Sequence, residues 1–198
     1  ALLMTVREQD SAQVVNDHWQ GAYAMFAYAS GSEAPQNYYF GARRVPYSTD
    51  FTKDPFTFRH IADGEELPDV PLHIRSPDNS EAHNAGEIWA TMLWECYAAL
   101  LRDTLGQSPR LTFAEAQRRM KDYLVASLKA TPSNPTMLEG RDALLATAFA
   151  NDPADGLIFA QAFARRGAGF AAVAPDRFST TNTPGLVESF DLGNSLTF

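Results

Sequence analysis

Between residues 84 and 166 the chain carries four helix signals in succession, and this constrains its fold more than any other feature. Residues 84–105 place Ile88, Trp89, Met92, Leu93, Cys96, Ala99 and Leu100 on a wide apolar stripe that halts at Gly106. Thr112-Phe113-Ala114-Glu115 is a capping box, in which hydroxyl and carboxylate satisfy each other's free amides, and it opens a helix to about Ala130. Asn134-Pro135 has the form of an N-cap followed by proline at the first helical position, which starts a helix to about Ala150. Asp152-Pro153 repeats the device and opens a helix that closes at Arg165-Arg166-Gly167, with basic side chains at its negative end. The fold class that follows is mainly α: a helical bundle with a long irregular loop region.

The rest of the chain is less regular. Residues 1–8 resemble the last turns of a helix whose beginning lies elsewhere. In residues 11–30, Val14, Val15, Trp19, Ala22, Tyr23, Phe26 and Ala27 recur at three- and four-residue intervals, which predicts an amphipathic helix ending near Gly31. Residues 31–82 are broken by Pro35, Pro46, Pro55, Pro68, Pro71 and Pro77 and show no sustained period. Their aromatics, including Tyr38, Tyr39, Tyr47, Phe56 and Phe58, supply area to bury, so this stretch is expected to be a long ordered loop. The Gly-, Thr-, Asn- and Pro-rich tail from Phe170 is expected to wrap the surface.

Composition removes several classes of function. The formal net charge is −8 and no Lys/Arg cluster exceeds two residues, so the chain lacks the basic stripe that nucleic acid requires. No apolar run approaches the roughly 20 residues of a membrane span. The single cysteine, Cys96, falls within a helical pattern and reads as a buried thiol.

Most motif searches are negative. The chain has no H-E-x-x-H, no G-x-S-x-G, no P-loop and no G-x-G-x-x-G. One stretch does stand out: Asp78-Asn79-Ser80-Glu81-Ala82-His83-Asn84-Ala85-Gly86-Glu87 puts an aspartate five residues ahead of a histidine at the mouth of a long helix. Two readings are open. In the first, His83 caps the helix and Asp78 merely satisfies its ring. In the second, Asp78 accepts a hydrogen bond from one ring nitrogen and leaves the other to donate to a developing oxyanion. His83 and Glu87 stand at i, i+4, where two metal ligands can share a helix face, but two ligands do not make a zinc site. Arg43 and Arg44, in a Gly- and Pro-bearing aromatic loop, are either surface charges or a bidentate clamp for a carbonyl or carboxylate.

Four stretches together resemble the fungalysin-type metallopeptidases, relatives of thermolysin. They are Gly41-Ala42-Arg43-Arg44-Val45-Pro46-Tyr47-Ser48-Thr49, the run from His83 to Glu95, Asn134-Pro135-Thr136 through Arg141-Asp142-Ala143, and Ala162 to Gly169. The resemblance implies that residues 1–190 form the α-helical C-terminal lobe of a thermolysin-like peptidase. Residues 31–82 would be the substrate-side loop region and 191–198 a tail. It implies a catalytic pair, His83 stabilising the tetrahedral intermediate and Asp78 orienting it. It also implies a substrate-binding Arg43, with Arg44 in its place if the register shifts by one. The family's H-E-x-x-H is absent, and Ala1-Leu2-Leu3 is expected to begin just after the segment bearing the third zinc ligand.

No metal ligand is therefore assigned in this chain. Zinc is expected in the intact metalloendopeptidase and none on these 198 residues, which are expected to be inactive alone. The implied partners are a peptide or protein substrate and the upstream zinc-binding lobe of the same polypeptide, and the implied location is secreted. The alternatives are a stand-alone, non-catalytic peptide- or partner-binding module derived from that lobe, and a separately encoded subunit that completes a zinc site.

Overall fold

The computed structural model describes residues 6–12, 18–30, 37–68 and 78–193. Its helices are two single turns, α1 (Ala27–Ser30) and α2 (Asn37–Phe40), and four long helices, α3 (Ala82–Arg102), α4 (Phe113–Ala130), α5 (Met137–Asn151) and α6 (Pro153–Arg165). Glu8–Ala12 and Phe58–Ile61 form 3-10 turns. No strand occurs among the described residues, only isolated bridges such as Tyr23 to Tyr47. The chain is mainly helical, as its patterning predicts.

The four long helices close a ring: α3 packs on α4 and α6, and α5 packs on α4 and α6. α3 is the central element, with Ile88, Met92, Trp94, Cys96, Tyr97, Ala98, Leu100 and Leu101 all buried. Trp89 stacks on Phe163 of α6 at 5.9 Å, and Tyr123 of α4 meets the edge of Phe159 at 5.8 Å. Cys96 is fully buried, which pushes its thiol pKa up and keeps it inert. None of the described helices is long and apolar enough to cross a membrane.

The start signals hold with one change. Thr112 and Glu115 form the expected box, and Asp152 caps α6 with Pro153 at its first position. The expected cap at Asn134 is corrected to Thr136, whose hydroxyl accepts the Glu139 amide at 3.2 Å while Glu139 accepts the Thr136 amide at 2.8 Å. Asn134 sits instead at φ +51°, in the turn ahead of that box.

Among the described residues, the helix expected over residues 11–30 forms only as the single turn α1 at its end, and not over 18–26. His18, Trp19 and Phe26 all have positive φ, and Tyr23 exchanges both backbone hydrogen bonds with Tyr47 at 3.0 Å. Trp19 and Tyr23 are buried as their spacing required, but from an irregular chain, with Tyr23 4.6 Å from Trp94 of α3. Residues 13–17 of that stretch, residues 1–5 of the expected helix tail over 1–8, the loop residues 31–36 and 69–77, and residues 194–198 of the expected tail lie outside the described residues.

Two charged knots tie the helices to the loops. Asp155 at the start of α6 is fully buried and accepts from Tyr123 at 2.6 Å, Arg119 at 2.8 Å and Arg110. Arg166, just past α6, is fully buried as well. It donates to Glu95 at 2.8 Å and to the carbonyls of Ser48, Asp54 and Phe56 at 2.6, 2.7 and 3.0 Å, with Phe51 stacked over it at 4.2 Å. The second knot fixes the loop 48–58 to the bundle and so positions the loop 41–47 that precedes it.

Candidate functional site

The N-terminal end of α3 and the loop 41–47 meet at Glu87. This side chain is almost fully buried and accepts the Arg44 amide at 2.6 Å and the Val45 amide. Desolvation pushes its pKa up to about 7 despite those amides and the Arg43 and Arg44 cations. Glu87 is therefore an anchor for the loop, and its place one turn below His83 puts the Arg43 loop and His83 at the same end of α3.

The loop reaches this position through Gly41. Its φ of +65° suits glycine, and a Cβ there would collide with the Met25 carbonyl, which accepts the Ala42 amide at 2.8 Å. Arg43 follows, partly exposed, whereas Arg44 is 7% exposed. The Arg43 guanidinium hydrogen-bonds the Tyr47 hydroxyl, whose pKa burial raises to about 12, and the Arg43 Nε is buried without a hydrogen-bond acceptor. Of the two arginines, Arg43 is the more exposed residue.

His83 is the second residue of α3, with its side chain 66% exposed. The true N-cap is Glu81, which accepts the amides of His83 at 2.9 Å and Asn84 at 3.3 Å. The other Glu81 oxygen lies 2.7 Å from His83 Nδ1. Asp78 enters through its backbone: its carbonyl accepts from the Asn84 side chain at 2.7 Å and from the Glu81 amide at 3.3 Å. The structure thus brings Asp78, Glu81 and His83 into one turn.

Glu81 and Glu87 are the residues that reading the sequence did not place. A carboxylate two residues ahead of the helical histidine was the available sign for Glu81. For Glu87 it was an acid set in an otherwise apolar run.

Among the described residues no three His, Cys, Asp or Glu side chains converge as metal ligands. His60 is buried, its Nδ1 3.0 Å from the Thr57 amide, and His73 lies outside the described residues. The described residues form no zinc site, and no step through a metal follows from them.

The family model for fungalysin metallopeptidase (M36) matches residues 2–172. Extracellular metalloproteinase 10 of Coccidioides posadasii (strain C735) is 31% identical over 137 residues, 66% of this chain and 18% of that protein. Extracellular metalloproteinase mep of Aspergillus terreus is 28% identical over 135 residues, 65% of this chain and 18% of that protein. Extracellular metalloproteinase MEP of Neosartorya fischeri is 28% identical over 156 residues, 75% of this chain and 22% of that protein. The chain spans about a fifth of the length of these relatives. Their names agree with the secreted location that the resemblance implied.

Proposed function

The chain belongs to the fungalysin metallopeptidase family, and from that premise we propose that it is the C-terminal lobe of a secreted zinc metalloendopeptidase, supplying substrate-side groups but not the zinc ligands. His83 donates from its solvent-side nitrogen to the oxyanion of the tetrahedral intermediate, and Arg43 holds a backbone carbonyl of the peptide. Asp78 braces the turn that presents His83. The other lobe of the same polypeptide would hold the zinc, whose chemistry there would be activation of the attacking water. The observation that carries this reading is the Glu87 anchor, which holds the Arg43 loop one turn below His83. The exposed aromatics Tyr28, Tyr38 and Tyr39, in the turns just ahead of that loop, are consistent with a face that meets another lobe.

The test has two parts. The purified 198-residue chain should neither cleave casein nor hold zinc stoichiometrically. In the polypeptide that includes H-E-x-x-H, His83→Ala should lower kcat/KM by about 100- to 1,000-fold, as loss of an oxyanion donor does. Casein cleavage by the chain alone, or an unchanged kcat/KM in the variant, would refute the assignment.

A further inference from the structure

The imidazole of His83 needs an acceptor on one nitrogen if the other is to be presented in a fixed direction. The sequence pointed to Asp78 for this, but the acceptor at 2.7 Å from Nδ1 is Glu81 Oε1. The same carboxylate is immobilised by its other oxygen, which takes the amides of His83 and Asn84. An ionised carboxylate has no proton to give, so Nδ1 is the donor in this pair. Hydrogen bonding to His83 and to those amides also holds the Glu81 carboxyl below its usual pKa, which keeps it an acceptor through neutral pH.

We infer that Glu81 is the positioning residue for His83: one oxygen caps α3, the other holds Nδ1–H, and Nε2 is left as the ring edge presented to substrate. The two tasks share one side chain, so helix start and ring orientation are set together. The cap fixes the carboxylate relative to the helix, and the carboxylate fixes the ring relative to the cap. Asp78 contributes at one remove, because its carbonyl holds Asn84 and the Glu81 amide and so braces the turn from which Glu81 reaches back. The catalytic meaning of this arrangement rests on the proposed role of His83, but the arrangement itself can be tested without catalysis.

Glu81→Gln separates the two tasks. The glutamine carbonyl can still accept the helix amides, whereas its NH2 offers Nδ1 a donor in place of an acceptor. The chain contains four histidines, so ring nitrogens are assignable after histidine-selective 15N labelling. Long-range 1H–15N spectra at about pH 9, where imidazoles are neutral, should show His83 protonated on Nδ1. In Glu81→Gln the proton should move to Nε2 with helix content by circular dichroism unchanged, and in Asp78→Asn it should stay on Nδ1. A wild-type proton on Nε2, or a tautomer that follows Asp78 and ignores Glu81, overturns the inference. In the zinc-bearing polypeptide Glu81→Gln should lower kcat about 10- to 100-fold, in line with other supporting partners of catalytic histidines, with KM little changed. An unchanged kcat/KM in His83→Ala would sink the proposed function while leaving the tautomer result standing.

Discussion

Replacing Arg166 by methionine tests how the loop carrying Arg43 is held. Methionine keeps much of the side chain's length but removes the guanidinium. Three loop carbonyls, of Ser48, Asp54 and Phe56, would lose their donor, and Glu95 would keep only Arg165, at 3.1 Å. Breaking a buried ion pair from one side costs about 3–5 kcal/mol, and each orphaned buried acceptor adds about 1 kcal/mol or more. Two features reduce that sum: Arg165 partly compensates Glu95, and Asp54, 3.9 Å from Arg166, already has its pKa raised to about 6 by burial and can take up a proton. A net loss of about 4 kcal/mol is therefore expected, a large part of the roughly 5–15 kcal/mol that stabilises a domain. With a slope near 2 kcal/mol/M, the urea midpoint followed by circular dichroism should fall by about 2 M. Adding Glu95→Gln should recover part of the loss, because the neutral amide leaves no buried carboxylate short of partners. A midpoint shift below about 0.5 M for Arg166→Met would refute the claim that this knot holds the loop.

Two further outcomes follow from the same geometry. The Glu87 pKa is raised in the fold, so its contribution to stability is complete at about pH 4 and is lost as pH rises through about 7. Glu87→Gln lacks this loss, so its urea midpoint relative to wild type should rise between pH 5 and pH 8, and a constant difference would contradict a buried acid at this position. Gly41→Ala should lower the thermal midpoint by several degrees, since strain at positive φ alone costs about 1–3 kcal/mol before the clash with the Met25 carbonyl. An unchanged midpoint would mean the loop can move away from Met25.

The bundle was legible because its signals are local. The Thr112 box and the Asp152-Pro153 start each lie within four residues, and the structure uses both. Where two local signals competed, the reciprocal pair at Thr136 and Glu139 prevailed over the single cap at Asn134. Residues 18–26 were misread because spacing reports only which side chains want burial. Trp19 and Tyr23 meet that demand from a chain whose backbone accepts from the Ala42 amide and exchanges hydrogen bonds with Tyr47, and no local signal encodes that pairing. The candidate site divides in the same way. His83 and Arg43 were singled out by residue type and resemblance, whereas Glu87 and Glu81 draw their roles from a distant loop amide and a ring contact.

The lone cysteine carries one more consequence. A family whose named members work outside the cell usually has access to covalent staples, yet Cys96 has no second cysteine in the chain and is sealed in the core. The arginine–carboxylate knots take over the cross-linking, joining Arg110 to Asp155 and Glu95 to Arg166 across long stretches of sequence. Such fasteners ignore reducing agents altogether.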